Sequence, residues 1–381
     1  MNDAVIVAAA RTPVGKRGGA LSPVHPADLS AHVLESVVGR AGIDPAIVDD
    51  VIWGCVSQVG EQTFDIARTA VLAAGWPEHV PGTTVDRQCG SSQQAVHFAA
   101  AGVASGQYDV AVAGGVESMS RVPMGSAKGD ADPLGPRYRA RYGDGFPNQG
   151  VGAEMIAEQW GISRTELDEY AIRSHELAAA AQDSGLFDAE IAPVDVDGEK
   201  VTADEGIRRG GTVQKLAGLK TPFRQDGVVS AGNASQISDG AGALLMMSRE
   251  AADKAGLTPL ARIHTASVVG APPMPMLTGP IPATAKVLDK SGLSMSDIGV
   301  FEVNEAFASV VLAWAQETGA DLDKVNPRGG AIALGHPLGG SGARLMTTML
   351  HHMRDNNIRY GLQTMCEGGQ ANATIVELLD N

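Results

Sequence analysis

The chain has 381 residues, 44% of them hydrophobic but only 4% aromatic, with 47 glycines and three cysteines. That length suits two or three structural units around a large core, and the composition fits tightly packed α/β layers. A formal charge of -15 excludes nucleic acid and anionic membranes as general partners, while leaving room for an anionic small molecule on a local basic patch.

The opening AVIVAAA reads as a first strand, too short to span a membrane and without a basic leader, so neither a signal peptide nor a membrane span is expected. Helical apolar spacing follows at Leu29, Val33, Leu34, Val37 and Val38, then a second strand in DDVIWGCV. The stretch from PGTTVDRQCG to VAVAGG predicts a strand, a helix from about Ser91 to Ser105 and a strand at Val110 to Ala113, a βαβ unit of the doubly wound kind. Between about Met119 and Asn148 the pattern breaks into Gly, Pro and charge, as a surface excursion would. Two helices are expected next, in GAEMIAEQWG and RTELDEYAIRSHELAAAAQDSG; Thr165 with Asp168 resembles a capping box for the second, and Ser163 is an equally good cap. An extended stretch then gathers Arg208, Arg209, Lys215, Lys220 and Arg224, which is either a solvated basic face or a binding patch.

Alternation of strand and helix resumes near GALLMMSREAADKAG, and the C-terminal third repeats the grammar of the first. In both, a strand leads to a turn with one reactive residue (Cys89, His336), then a helix, then a strand closing on a glycine pair (Gly114-Gly115, Gly368-Gly369). This predicts an internal duplication. The three cysteines are far apart and form no CxxC pair, which points to a reducing compartment, taken as cytoplasmic, and the His351-His352 doublet has no neighbours at metal-ligand spacing.

A lone cysteine is ordinarily a packing residue, and Cys55 in IWGCVSQ is read that way. Cys89 stands instead at a helix entrance, where orphan N–H groups and the dipole stabilise a thiolate, so a lowered pKa and a nucleophilic role are expected. His336 sits in the glycine-rich GHPLGGSG, which denies it a packing role and lets its imidazole accept a thiol proton. Asn304 in VNEAFAS is either a helix N-cap or an amide that holds a water or polarises a carbonyl. Cys366 in TMCEGGQAN ends a strand beside two glycines, a setting for an acid/base partner and for N–H groups facing an oxyanion.

With DRQCGSSQQA, VNEAFA, GHPLGGSG and MCEGG in that order, the chain resembles the thiolase family. AARTPVGKRGG, VAGGVESMS and AGNASQISDGAGA also resemble thiolase segments, so the likeness covers essentially the whole length. It implies an α/β thiolase-like fold: two duplicated βαβαβαββ halves in a five-layer α-β-α-β-α arrangement. Residues 1–117 with 239–258 would form the first half, 118–238 an inserted CoA-binding loop domain, and 259–381 the second half.

The implied reaction is reversible acyl transfer between a 3-ketoacyl-CoA and coenzyme A, with CoA as substrate and no cofactor or metal. Cys89 would be the nucleophile, His336 its activator, and Cys366 the proton donor and acceptor at the α-carbon. Asn304 through a water and His336 would form one oxyanion hole, the N–H groups of Cys89 and Gly368 the other. Arg208, Ala231 and Ser235 match positions along CoA, with Gln149 and Leu277 as further substrate contacts, and a homodimer or homotetramer is implied.

Two departures matter. CEGGQ is one glycine short of the usual run, and Asn148 and Gln149 stand where biosynthetic thiolases carry His and Met. The expected member is therefore a degradative thiolase of actinobacterial type, acting in β-oxidation of longer, branched or steroid-derived chains. A biosynthetic acetoacetyl-CoA thiolase and a thiolase-fold CoA- or lipid-binding protein of impaired activity remain the alternatives.

Overall fold

A computed structural model describes residues 3–145 and 148–379. In the first part of the chain the elements are β1 (Ala4–Arg11), β2 (Gly15–Lys16), α1 (Pro26–Ala41), β3 (Asp50–Gly54), α2 (Ile66–Ala73), β4 (Gly82–Val85), α3 (Ser91–Ser105) and β5 (Val110–Ser118). Next come α4 (Gly135–Tyr142), α5 (Gln149–Gln159), α6 (Arg164–Asp183), the hairpin β6 (Val194–Val196) and β7 (Glu199–Val201), and α7 (Val213–Ala217). The remainder is β8 (Ser238–Ser248), α8 (Arg249–Lys254), β9 (Ala261–Gly270), α9 (Pro280–Ser291), β10 (Val300–Val303), α10 (Ala308–Thr318), α11 (Ala331–Leu334), α12 (Ser341–Asp355), β11 (Tyr360–Cys366) and β12 (Gln370–Leu378).

The strands run β10-β11-β12-β9-β1-β8-β5-β3-β4, with β2 on β8. The duplication expected from the sequence is explicit in this order. In the first half β3 is parallel to β5, β5 antiparallel to β8, and β8 antiparallel to β1. The second half repeats it, with β10 parallel to β11, β11 antiparallel to β12, and β12 antiparallel to β9. The glycine pairs are not equivalent, however: Gly114 and Gly115 lie inside β5, whereas Gly368 and Gly369 make the turn after β11.

The halves meet at a seam only two pairs long, Val5 with Arg262 and Ile6 with Ala261. Helices α3 and α12 fill the space between them, α12 against β8, β5 and β1 on one side and β10, β11 and β12 on the other. Their sequences allow this because they lack a fully polar face: Ser91 to Val96 of α3 and Ser341 to His351 of α12 are buried without interruption, as a helix enclosed on all sides requires. Outside, α1 packs on β1 and β8, and α9 on β9 and β12, completing five layers.

At their N-terminal ends α3 and α12 nearly touch. The Ala343 N–H donates to Ser92 Oγ at 2.9 Å, and a Cβ on Gly342 would stand 2.3 Å from Gln93 N. Backbone cannot yield there as a flexible side chain would, so Gly342→Ala is expected to cost ~3 kcal/mol or more, at the upper end of overpacking penalties. A urea midpoint equal to that of the unsubstituted chain would refute this. At α6 the cap is Ser163, boxed with Glu166, and not Thr165 with Asp168; Asp168 is used by Arg164 and Asn233 instead.

Candidate active site

Cys89 sits in the turn between β4 and α3. Gln88 holds a left-handed φ of 49°, an uncommon conformation for a residue with a side chain and one found at functional turns. The turn is tied by Gly90 N to Arg87 O (3.2 Å), Ser91 N to Gln88 O (3.0 Å) and Arg87 N to Ser91 Oγ (2.9 Å). At Gly90 a Cβ would fall 1.7 Å from Glu367 Oε1, so any larger residue would have to displace that buried carboxyl. The half-buried Cys89 is thus delivered to the entrance of α3, as the sequence predicts.

Its ionisation is the opposite of the expectation. Burial, then the carboxyl of Glu367, then those of Glu117 and Asp86, push the Cys89 thiol up to about 12. The helix-terminus argument considers only α3, whereas the fold buries the sulfur and brings carboxyl groups from β5 and from the end of β11 towards it. Cys89 rests as a thiol.

His336 follows α11 and is 4% exposed. Its Nδ1 lies 2.6 Å from Ser341 Oγ, and that hydroxyl donates to Pro337 O at 2.8 Å. The hydroxyl has one proton and the carbonyl only accepts, so the network assigns the imidazole proton to Nδ1. Nε2 keeps its lone pair and faces Asn304 Nδ2 at 3.3 Å. Burial, followed by the cation of Arg344, pushes the His336 pKa down to about 3. A neutral imidazole with an unprotonated Nε2, held only by the long contact to the Asn304 amide, can accept a proton.

Asn304 lies after β10, and the N-cap of α10 is Phe307, so Asn304 caps no helix. With one amide end at His336, its buried Oδ1 has no protein partner, which suits an amide that holds a water. Cys366 ends β11 fully buried, its pKa raised by burial first and then by the nearby Cys89 and Glu367. The short CEGGQ run closes as a two-residue hairpin. Gly368 and Gly369 have φ of 61° and 94°, and Glu367 N donates to Gln370 O at 2.8 Å, the geometry a Gly-Gly turn supplies. Gln370 Oε1 accepts from Arg87 Nη1 at 2.6 Å, tying this hairpin to the Cys89 turn. Among the described residues the N–H groups of Cys89 and Gly368 have no hydrogen-bond partner, and Gly368 faces the Gln88 side chain.

Two of the residues that organise this site were not singled out from the sequence. Glu117, at the end of β5, accepts from Val56 N and Ser57 N (3.0 Å each), Gln62 Nε2 (2.8 Å) and Gly339 N (2.9 Å), anchoring the His336 loop to the first half. Ser341 sets the imidazole tautomer. A charged residue closing the otherwise apolar strand VAVAGGVES is the signal that marks Glu117.

His336 forms part of the wall of a cavity of about 360 Å³ with Met119, Met124, Gln149, Phe223, Ser235 and Phe307. A second cavity of about 350 Å³ is lined by His175, Asp183, Arg208, Leu216, Leu219 and Gly232. The segment from exposed Ala231 to Ser235 runs from one cavity to the other. The basic stretch is partly neutralised, Arg209 by Asp183 and Arg224 by Glu158, each at 2.7 Å, while Arg208 keeps an exposed side chain. Leu277 does not join these residues: it is 3% exposed and packs in the second-half core, because the 272–278 turn directs it inward beneath α9. Cys55 is fully buried in the first-half core, as read.

His97 of α3 is likewise neutral, pushed down to about 3 by burial and then by Arg87 and Lys290. For both histidines the folded pKa lies below the unfolded value of ~6.5, so stability is complete above ~6.5 and is lost as pH falls towards 3. Each such group removes on the order of 1 kcal/mol per pH unit inside that window. Buried carboxyls with raised pKa, Glu302 and Glu367 among them, act with the opposite sign, so the histidine part is read by difference: His97→Gln is expected to lose less of its urea midpoint between pH 7.5 and pH 5 than the unsubstituted chain, and equal losses would contradict it.

The family model described as thiolase, N-terminal domain, matches residues 4–250, and that described as thiolase, C-terminal domain, matches residues 257–378. The chain belongs to the thiolase family. It is 52% identical over 388 residues to the steroid 3-ketoacyl-CoA thiolase FadA6 of Mycobacterium tuberculosis, covering 100% of this chain and 95% of that one. With the 3-oxoadipyl-CoA/3-oxo-5,6-dehydrosuberyl-CoA thiolase of Escherichia coli it shares 45% over 399 residues, covering 99% and 100%. The crystal structure of the Bacillus anthracis acetyl-CoA acetyltransferase superposes with a TM-score of 0.90 at 40% identity, covering 100% and 99%.

Proposed function

We propose that the chain catalyses reversible, CoA-dependent cleavage of a 3-ketoacyl-CoA to acetyl-CoA, or propionyl-CoA from a branched substrate, and a shortened acyl-CoA, in the degradative direction. Thiolases named for steroid and other 3-ketoacyl-CoA substrates are its relatives, and the observation that carries the reading is the unprotonated Nε2 of a buried, neutral His336 in a site with two thiols and two unpartnered N–H groups. Cys89 Sγ attacks the 3-keto carbon as its proton passes to His336. The bond between C2 and C3 breaks, the electron pair stays on C2, and Cys366 protonates that carbon to release the new acyl-CoA. Coenzyme A then attacks the acyl thioester on Cys89; its thiol proton and the one on His336 restore the two cysteines, so no net proton is gained or lost.

Asn304 through a water, with imidazolium His336, would stabilise one oxyanion, and the Cys89 and Gly368 N–H groups the other. Arg208, Ala231, Ser235 and Gln149 would line the CoA path, Arg208 facing phosphate. The reading includes a cytoplasmic, homodimeric or homotetrameric enzyme. The test is intact-protein mass spectrometry after mixing with 3-ketoacyl-CoAs of increasing length and branching, beside a thiolysis assay. An acyl adduct mapped to Cys89, with faster turnover of longer or branched chains than of acetoacetyl-CoA, is expected; no adduct and background thiolysis would sink the proposal.

A further inference from the structure

Behind His336 lies a group of buried polar atoms that the reaction above does not use. Glu302 of β10 is fully buried and neither carboxyl oxygen has a protein hydrogen-bond partner. Arg344 of α12 is 1% exposed, and its Nε, Nη1 and Nη2 are likewise without one. Gln363 of β11, the register partner of Glu302, donates from Nε2 to Gly342 O on α12 at 2.9 Å, while its Oε1 is unmatched. That bond fixes the face: Gln363 and Glu302 point from neighbouring strands at the helix carrying Arg344.

Each charge senses the other, the guanidinium opposing protonation of Glu302 and the carboxyl favouring the cation, yet no ion pair within 4.0 Å joins them among the described residues. The surrounding charges are largely committed elsewhere, with Glu190 Oε2 and Arg328 Nε unmatched. Arg11 of β1 is held by Glu190 (2.6 Å) and Asp204 (2.8 Å), Arg328 by Asp355 (2.5 Å), and Glu305 by Tyr170, Ser174 and Asn326. Three nitrogens that only donate therefore face three oxygens that accept, all dry of protein partners, and such a set is stable only with a polar ligand between.

We propose that Glu302, Gln363 and Arg344 enclose a bound cluster of water molecules between β10, β11 and α12. Water fits because it accepts from the guanidinium and also donates to the oxygens opposite; a small anion would satisfy Arg344 but, having no proton to give, would leave the Glu302 and Gln363 acceptor oxygens unmatched. Ser341, which holds His336 Nδ1, lies one turn before Arg344 on α12, and Asn304, which faces Nε2, lies two residues beyond Glu302. Burial is the first cause that keeps the His336 imidazole neutral and the Arg344 cation the second; carried one turn beyond Ser341 on the same helix, Arg344 acts as a positioning residue that adds to that neutrality, and the hydrated Glu302 sets how much of its charge is felt.

This second step rests on His336 being the base for Cys89; the water cluster does not. A crystal structure of the full chain that resolves ordered solvent, with a bromide soak, tests the cluster. Waters bridging Arg344 to Glu302 and Gln363 are expected, and a direct Arg344–Glu302 ion pair or a bromide peak would overturn it. Iodoacetamide alkylation of Cys89, localised by peptide mass and followed against pH, tests the coupling without any acyl-CoA.

Arg344→Met should speed alkylation at neutral pH by about tenfold, equivalent to ~1.4 kcal/mol, because the ion pair of thiolate and imidazolium forms more readily. Glu302→Gln, matched in shape, should leave the rate at pH 7 unchanged and lower it above the carboxyl pKa of about 8. The double variant Glu302→Gln, Arg344→Met should follow Arg344→Met. Unchanged pH profiles in folded variants, or a slower Arg344→Met with the profile of the unsubstituted chain, would overturn the coupling.

Discussion

Replacing His336 by alanine is expected to lower kcat/KM for thiolysis by about 10³- to 10⁴-fold, the upper range for loss of a general base. The magnitude follows from Cys89. With its thiol pushed up to about 12, only about one molecule in 10⁵ would carry a thiolate at pH 7, so attack on the ketone depends on handing the proton to a partner during the step. In the proposed mechanism His336 is that partner: the Ser341 hydroxyl fixes the proton on Nδ1 and leaves Nε2 unprotonated. Without it the thiolate must come from solvent, and the variant's rate should climb about tenfold per pH unit through pH 9 while the unsubstituted enzyme levels off. A loss below tenfold, with a flat pH profile, would remove His336 from the reaction.

Much of this architecture is legible in the sequence because it is written in local pattern. The enclosed α3 declares itself by small and apolar residues on every face, and the repeated order of strand, turn, helix and strand anticipates the matched pairings of β3-β5-β8-β1 and β10-β11-β12-β9. The positions of Cys89 and His336 at the entrances of α3 and α12 follow from the same pattern. The glycines of GHPLGGSG mark a close approach, although only the fold reveals that Gly342 meets Gln93.

What the sequence conceals is set by residues far apart in the chain. The Cys89 pKa is raised first by burial and then by Glu367, 278 residues later, with Glu117 adding to it; a reading confined to the helix entrance gets the sign wrong. The burial of Leu277 is hidden for a similar reason, since an apolar residue after a Pro-rich run fits a pocket wall and a core equally well until the second-half core is assembled. The missing glycine of CEGGQ is also a tertiary matter. The turn closes as a tight hairpin and Gln370 takes up Arg87, so a shorter loop still leaves the Gly368 N–H unpaired.

Glu117→Ala should be the most destabilising single change near the site, by about 4 kcal/mol, within the range for breaking a buried charged network. The fully buried carboxylate receives three backbone N–H groups and the Gln62 amide. All four are donors, so the ion is the form they fit, even though burial raises its pKa. Alanine would leave four donors in a space closed to water and a cavity beside Gly339. Against a typical domain stability of ~5–15 kcal/mol, the variant would be partly unfolded at modest urea. Glu117→Gln keeps the volume and one acceptor oxygen but turns an NH₂ towards N–H groups, so it should fold with an intermediate midpoint. It should also lose more kcat than KM, because Gly339 anchors the turn that aims His336 while the cavity residues are untouched. An alanine variant within ~1 kcal/mol of the unsubstituted chain would mean that the loop holds itself, and that Glu117 is a passenger.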